Sequence, residues 1–242
     1  MFRIVRVVLA ICIFGVAQHA LAEPNVDLEL VLLADATGSI DDKEITFQRQ
    51  GYAEAITSPQ VINAIKNGLH GKIAVTYVEW GDVNSQETVV DWTVIEDAAS
   101  AQAFAKALLA PPRLAFGYNA IGAALLYGKE KIENNSHEGI RRVIDFSADS
   151  ANNWNGPPIE VARQLVLNAG IVINGLAVLC RYCSGQPSNY DLETAFRNDI
   201  IGGPGSFVVT VDNPPSFASA VRRKLILEIA GKPGTGFELA EE

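Results

Sequence analysis

Residues 31–42 read VLLADATGSIDD, an apolar run that stops abruptly at an acid. Asp35, Thr37 and Ser39 then place a side-chain oxygen at every second position. A hard divalent cation such as Mg2+ takes oxygen ligands in near-octahedral array, usually one or two carboxylates with hydroxyls, carbonyls and water. A second acid, Asp149, closes a second apolar run in RRVIDFSAD, residues 141–149. If both runs are neighbouring strands of one sheet, the two acids meet at the strand ends, where open α/β sheets bind ligands.

Two other chemistries compete for the same residues. Ser39 with Asp42 three residues on reads as the N-cap of a helix, and acids in a first turn favour the helix dipole. Capping accounts for Ser39, Asp41 and Asp42 but leaves Asp35, Thr37 and Asp149 without a role. A carboxylate at a strand end is also a candidate phosphotransfer nucleophile. Enzymes of the haloacid dehalogenase type carry a second Asp two residues on, where this chain has Thr37. The chain lacks G-x-S-x-G, G-x-x-x-x-G-K-[ST] and H-E-x-x-H, and its 3 histidines offer few general acids or bases. The expectation is a binding protein, not an enzyme.

The elements that must position these groups follow from periodicity. Strand and helix signals alternate along nearly the whole chain, which predicts a doubly wound, mostly parallel α/β sheet with helices on both faces. Leu28–Ala34 is apolar except for Glu29, as in a strand buried on both sides. KIAVTYVEW (72–80) and ETVVDWTVI (87–95), joined by GDVNSQ, read as a hairpin, so one edge strand is antiparallel. LAFGYN (114–119) is a loop between two helices. In the last helix Phe217, Val221, Leu225 and Ile229 share one face.

The chain has 242 residues, 48% of them hydrophobic, enough for one sizeable core. MFRIVR, VVLAICIFGVA and QHALA have the basic, apolar and small-x-small parts of a secretory signal. The apolar part is about half of the ~20 residues a spanning helix needs. The expected organisation is a signal peptide over 1–22, one domain over 23–231 and a glycine-rich acidic tail over 232–242. That implies a periplasmic or secreted protein without a membrane span after cleavage. The net charge of −9 becomes more negative once Arg3 and Arg6 leave with the signal, and such a surface repels nucleic acid. Cys180 and Cys183 remain, and export favours a local disulfide between them over a free thiol pair, a redox pair or a zinc site.

The residues D-A-T-G-S after an apolar strand resemble the D-x-S-x-S motif of von Willebrand factor A domains, with Thr37 for the middle serine. FQRQGYAEAI, IAVTYVEW, RRVIDFSAD, NNW, IVINGLAV, IIGGPGSFVV and RRKLILEIAG together resemble a bacterial exported subgroup of these domains whose function is unassigned. The resemblance spans residues 26–231 and implies a six-stranded doubly wound sheet with a metal-ion-dependent adhesion site. On that basis Asp35, Thr37, Ser39 and Asp149 are expected metal ligands. Asn119 stands where the family has threonine, and its amide oxygen can ligate a hard cation, or its side chain can cap the following helix. The implied cation is Mg2+, with Mn2+ or Ca2+ as substitutes. The implied partner is a protein offering a carboxylate to the metal, a metal-free interaction scaffold being the alternative. Tyr118, Trp80 and Trp154, at or near loops, are expected to rim the site.

Overall fold

The computed structural model describes residues 25–179, 191–212 and 216–231. The signal segment, Cys180 and Cys183, and the acidic tail lie outside the described residues.

Six strands, β1 (Val26–Asp35), β2 (Ile73–Trp80), β3 (Gln86–Ile95), β4 (Gly139–Ala148), β5 (Val172–Val178) and β6 (Val208–Val211), form one sheet. Its order is β3-β2-β1-β4-β5-β6, with only β3 antiparallel, at the edge. Seven helices cover it among the described residues: α1 (Asp42–Ile56), α2 (Pro59–Lys66), α3 (Ala98–Leu109), α4 (Ile121–Glu133), α5 (Ile159–Asn168), α6 (Leu192–Ala195) and α7 (Phe217–Ala230). A π-helical turn, Phe196–Ile200, extends α6.

Alternation along the strands makes the two layers. Leu28, Leu30, Leu32 and Ala34 point into one core with Tyr52 of α1, Val61 of α2, Phe104 of α3 and Phe217, Val221, Leu225 and Ile229 of α7. Val31 and Leu33 point the other way, against Ile121 and Leu125 of α4, Val166 of α5 and Leu192 of α6. A strand buried on both faces has to be apolar at nearly every position, which is why β1 shows no period of two in its sequence.

Two sets of buried charges are paired within the core. Arg49 of α1 reaches Glu79 of β2 at 2.7 Å, and Lys224 of α7 lies 2.7 Å from Asp145 and 2.5 Å from Glu228. Lys224, at the end of the Arg222-Arg223-Lys224 run, is thus a core residue and leaves no basic stripe on α7.

The chain runs outward from β1 to β2 and β3, then crosses back to place β4 on the other side of β1. The strand order therefore reverses between β1 and β4, and a crevice opens at their carboxyl ends.

Candidate metal centre

Parallel pairing of β1 with β4, with Ala34 opposite Ser147, brings both strand-end acids to this crevice. Asp35 and Asp149 are 1% and 4% exposed, and Thr37 is buried with them. Asp35 accepts the Thr37 backbone N–H at 2.8 Å through Oδ1, which folds the chain back so that Thr37 and Ser39 hydroxyls stand 3.1 Å apart. Neither Asp35 Oδ2 nor either oxygen of Asp149 has a hydrogen-bond partner. Leaving buried carboxylate oxygens unpaired is costly, and native cores seldom do so without a function for the group.

The electrostatics agree with that geometry. Burial, and next the charge of Asp149, push the Asp35 carboxyl up to about 7, against the opposing pull of the Thr37 N–H and hydroxyl. Burial raises Asp149 as well, with the Ser39 hydroxyl acting the other way and Glu44 adding to the rise. Ser39 lies near enough to favour the charged form of Asp149, yet outside hydrogen-bond geometry. Among the described residues no three His, Cys, Asp or Glu side chains gather as a ligand set. The crevice thus offers two carboxylates with the Thr37 and Ser39 hydroxyls close to Asp35 and Asp149, an all-oxygen donor set of the kind a hard cation prefers.

Three sequence expectations need correction. Ser39 does not cap α1. Asp41 does, accepting from Lys43 and Glu44 N–H at 2.8 and 2.9 Å while Glu44 returns a bond to Asp41 N–H at 2.7 Å. This capping box satisfies the helix end two residues downstream and frees the Ser39 hydroxyl for the crevice. Asn119 does not cap α4 either. Ala120 occupies that position without a side-chain bond, and Asn153 Oδ1 accepts the Gly122 N–H at 3.2 Å instead. Asn119 is buried in the loop before α4, its carbonyl accepting from Trp154 N–H at 2.8 Å. Finally, Trp80 is no rim residue: it is 0% exposed and stacks on Phe146 at 5.0 Å, because the last position of β2 falls on the α4–α5 side of the sheet. Tyr118 and Trp154 do stand outside, 71% and 72% exposed.

The structure adds a residue that no sequence motif marks. Arg113, in the loop before α4, donates to the carbonyls of Ala36, Thr37 and Ile40 and to Ala115 in its own loop. It thereby ties the loop after β1 to the segment carrying Asn119, a tie repeated by Gly38 N–H to Gly117 O at 2.8 Å. The same segment is fixed from below, where Arg49 donates to Pro111 and Pro112 carbonyls and Glu79 accepts the Leu114 N–H at 2.9 Å. Gly117 adopts φ +107° with Asp82 packed against it, a conformation that disfavours any side chain. An ammonium has three donors on one atom and cannot span the four carbonyls that the guanidinium fork reaches, so Arg113→Lys should not substitute. Arg113→Ala is expected to leave circular dichroism unchanged, lower Tm by a few degrees and weaken Mg2+ binding about 10-fold by titration calorimetry, the scale of losing a group that orients ligands.

Solved structures share this architecture. The chain aligns with the pilus adhesin SpaC from Lactobacillus rhamnosus GG at TM-score 0.60 and 13% identity, covering 86% of this chain and 30% of that one. It aligns with proximal thread matrix protein 1 from the mussel byssus, with a zinc-occupied MIDAS motif, at TM-score 0.59 and 17% identity over 86% and 49%. The vWF domain of the type V pili tip protein Mfa5 from Porphyromonas gingivalis matches at 0.56 and 8% over 88% and 99%. The chain spans half or less of the first two proteins and nearly all of the third. No curated protein matches in sequence. The profile of one family, described as "Protein of unknown function (DUF1194)", matches residues 25–233. With the doubly wound sheet and its single antiparallel edge, the chain has a von Willebrand factor A-like fold, and it belongs to the DUF1194 family.

Proposed function

We propose that the protein is an exported protein-binding module that contacts its partner through a divalent cation held by Asp35, Thr37, Ser39, Asn119 and Asp149. The observation that carries this reading is the pair of buried carboxylates at the switch point with three unpartnered oxygens between them. A bound cation would neutralise both carboxylates and present an open coordination position to an oxygen of the partner, such as a carboxylate. Mg2+ fits the all-oxygen set, Mn2+ and Ca2+ share its preference, and a zinc-occupied site in a structural neighbour supports divalent binding on this fold.

The domain is taken as 23–231, preceded by a signal over 1–22, with the mature protein periplasmic or secreted. Among the described residues no helix is long and apolar enough to cross a membrane. A pilus adhesin, a pilus tip domain and a byssal matrix protein among the neighbours favour protein contact over catalysis. Phosphotransfer by Asp35 gains no support, since Thr37 rather than an acid lies two residues on.

The test uses EDTA-stripped full-length protein titrated with MgCl2, MnCl2, CaCl2 and ZnCl2 at constant ionic strength, with melting and calorimetry as readouts, and a pull-down from periplasmic extract with and without EDTA. A ligand at 100 times its Kd stabilises by about 2.7 kcal/mol, roughly 5–10 °C for a domain of this size. A melting temperature indifferent to both Mg2+ and EDTA would overturn the metal reading in favour of a metal-free scaffold.

A further inference from the structure

The end of the sheet that carries Asp35 and Asp149 also carries three large rings left outside the core. Phe116, Tyr118 and Trp154 are 54%, 71% and 72% exposed. Neighbouring exposed aromatics of this kind are enriched in contact surfaces rather than in ordinary solvated ones. Their backbone is stitched across four loops. Besides the Gly38–Gly117 and Trp154–Asn119 bonds, Asp82 N–H donates to Phe116 O at 2.9 Å, Ala120 N–H to Gly81 O at 3.0 Å, and Asn155 Nδ2 to Asp82 Oδ1 at 2.5 Å. Rings standing on a fixed backbone lose little freedom when a partner covers them.

Acidic groups stand among these rings. Asp82 sits beside Tyr118 and Asn155, its carboxyl drawn below the usual carboxylate range by the Val83 N–H and the Asn155 amide against a smaller effect of burial. Asp42 is 85% exposed at the start of α1, next to exposed Asp41. Arg113, a basic group among the described residues there, is occupied by four carbonyls. Arg113 also shows the contact that such a surface makes: its guanidinium lies 4.6 Å from the Phe116 ring centre and 3.5 Å from Asp42. Aromatic faces and carboxylates attract the same cationic groups, and the chain as a whole carries −9.

We propose that this face docks a basic protein segment, whose arginine or lysine side chains stack on Trp154 and Tyr118 and pair with Asp82 and Asp42. The proposal deepens the protein-contact reading by naming the partner's charge, and it rests on that reading only for the choice of face. The rim groups are distinct from the five residues assigned to the cation, so each can be removed alone.

The probe is an acetylated, amidated nonapeptide of alternating arginine and glycine, with a glutamate–glycine counterpart, titrated into the full-length protein at low salt by calorimetry and tryptophan fluorescence. The arginine peptide is expected to bind and the glutamate peptide not. Trp154→Ser and Tyr118→Ser should each weaken binding about 5-fold, and Asp42→Ser about 3-fold, all at exposed positions that spare the fold. Glu54→Ser, exposed on α1 about 18 Å along the helix from Asp42, should change nothing. Equal losses from Glu54→Ser and Trp154→Ser, or equal binding of the glutamate peptide, would overturn the proposal, because attraction would then follow net charge and not this face. Asp35→Ala should keep peptide affinity while losing the Mg2+ response, and Trp154→Ser should do the reverse. Failure of the metal reading and failure of the basic-partner reading are thus separately visible.

Discussion

Asp35→Asn is expected to abolish the response of the melting temperature to Mg2+ and, in EDTA at pH 8, to make the protein more stable than the wild type. The two effects have one cause. In the metal-free chain Asp35 and Asp149 are buried together, and Asp35 titrates at about 7 instead of 3.8. A carboxyl whose folded pKa is raised keeps its proton in the native state while the unfolded chain gives it up, so stability falls as pH rises from about 4 to about 7 and then levels off. A shift of about 3 units corresponds to an upper bound on the order of 4 kcal/mol. Asparagine keeps the shape and removes the charge, so the variant should gain part of that amount at pH 8 and roughly a third as much at pH 5. On the proposed reading Mg2+ would bind the ionised native form alone, so wild-type stabilisation by Mg2+ should be weak at pH 5–6 and full above about pH 8. Scanning calorimetry of both proteins at pH 5, 6.5 and 8, with Mg2+ or EDTA, resolves the pattern. A variant that still gains stability with Mg2+ would remove Asp35 from the ligand set.

Lys224→Met is expected to destabilise the fold by 3–5 kcal/mol at pH 8, about 10 °C in Tm, the usual cost of stranding buried charges. Lys224 is fully buried, and one ammonium serves two acids, Asp145 and Glu228. Burial first, and then the charge of Asp145, push Glu228 up to about 7, with Lys224 opposing, while Asn174 donates to its Oε1 at 3.1 Å. Asp145 is raised by burial and drawn down by Lys224. Removing the ammonium lifts both acids further, so the deficit against wild type should widen as pH rises through 7 and narrow at pH 5–6, where Glu228 holds its proton in both proteins. Lys224→Met with Glu228→Gln leaves one buried acid instead of two and should recover a substantial part of the loss. A deficit that is the same at pH 5.5 and 8.5 would mean that Lys224 acts through packing and not through charge. Neither outcome bears on the crevice.

The fold was legible because it rests on local and periodic signals. An apolar run broken by Glu29 alone marked β1 as doubly buried, GDVNSQ between two β-rich runs gave the antiparallel edge, and the four-residue spacing of Phe217, Val221, Leu225 and Ile229 gave α7 its buried face. The acids Asp35 and Asp149 were legible for the same reason, each being the first acid past the end of an apolar run. The caps were not. Ser, Asp and Asn all serve at a helix N-terminus, and which one does so depends on where the chain leaves the preceding strand, so Asp41 took the place expected of Ser39 and Asn153 the one open to Asn119. Trp80 was misread because a tryptophan at the end of a strand carries no local sign of what lies beyond it.

By itself the sequence determined the elements, their class and the two acids that face each other, since helix and strand periodicity and the abrupt end of an apolar run are properties of adjacent residues. Only the tertiary structure decided how those acids are held. The reversal of strand order between β1 and β4, the Arg113 ties across three carbonyls of the loop after β1, and the burial that leaves three carboxylate oxygens unpaired all join residues far apart in the chain. Long-range hydrogen bonds and desolvation have no period to read, and they exist only once the core has closed around them.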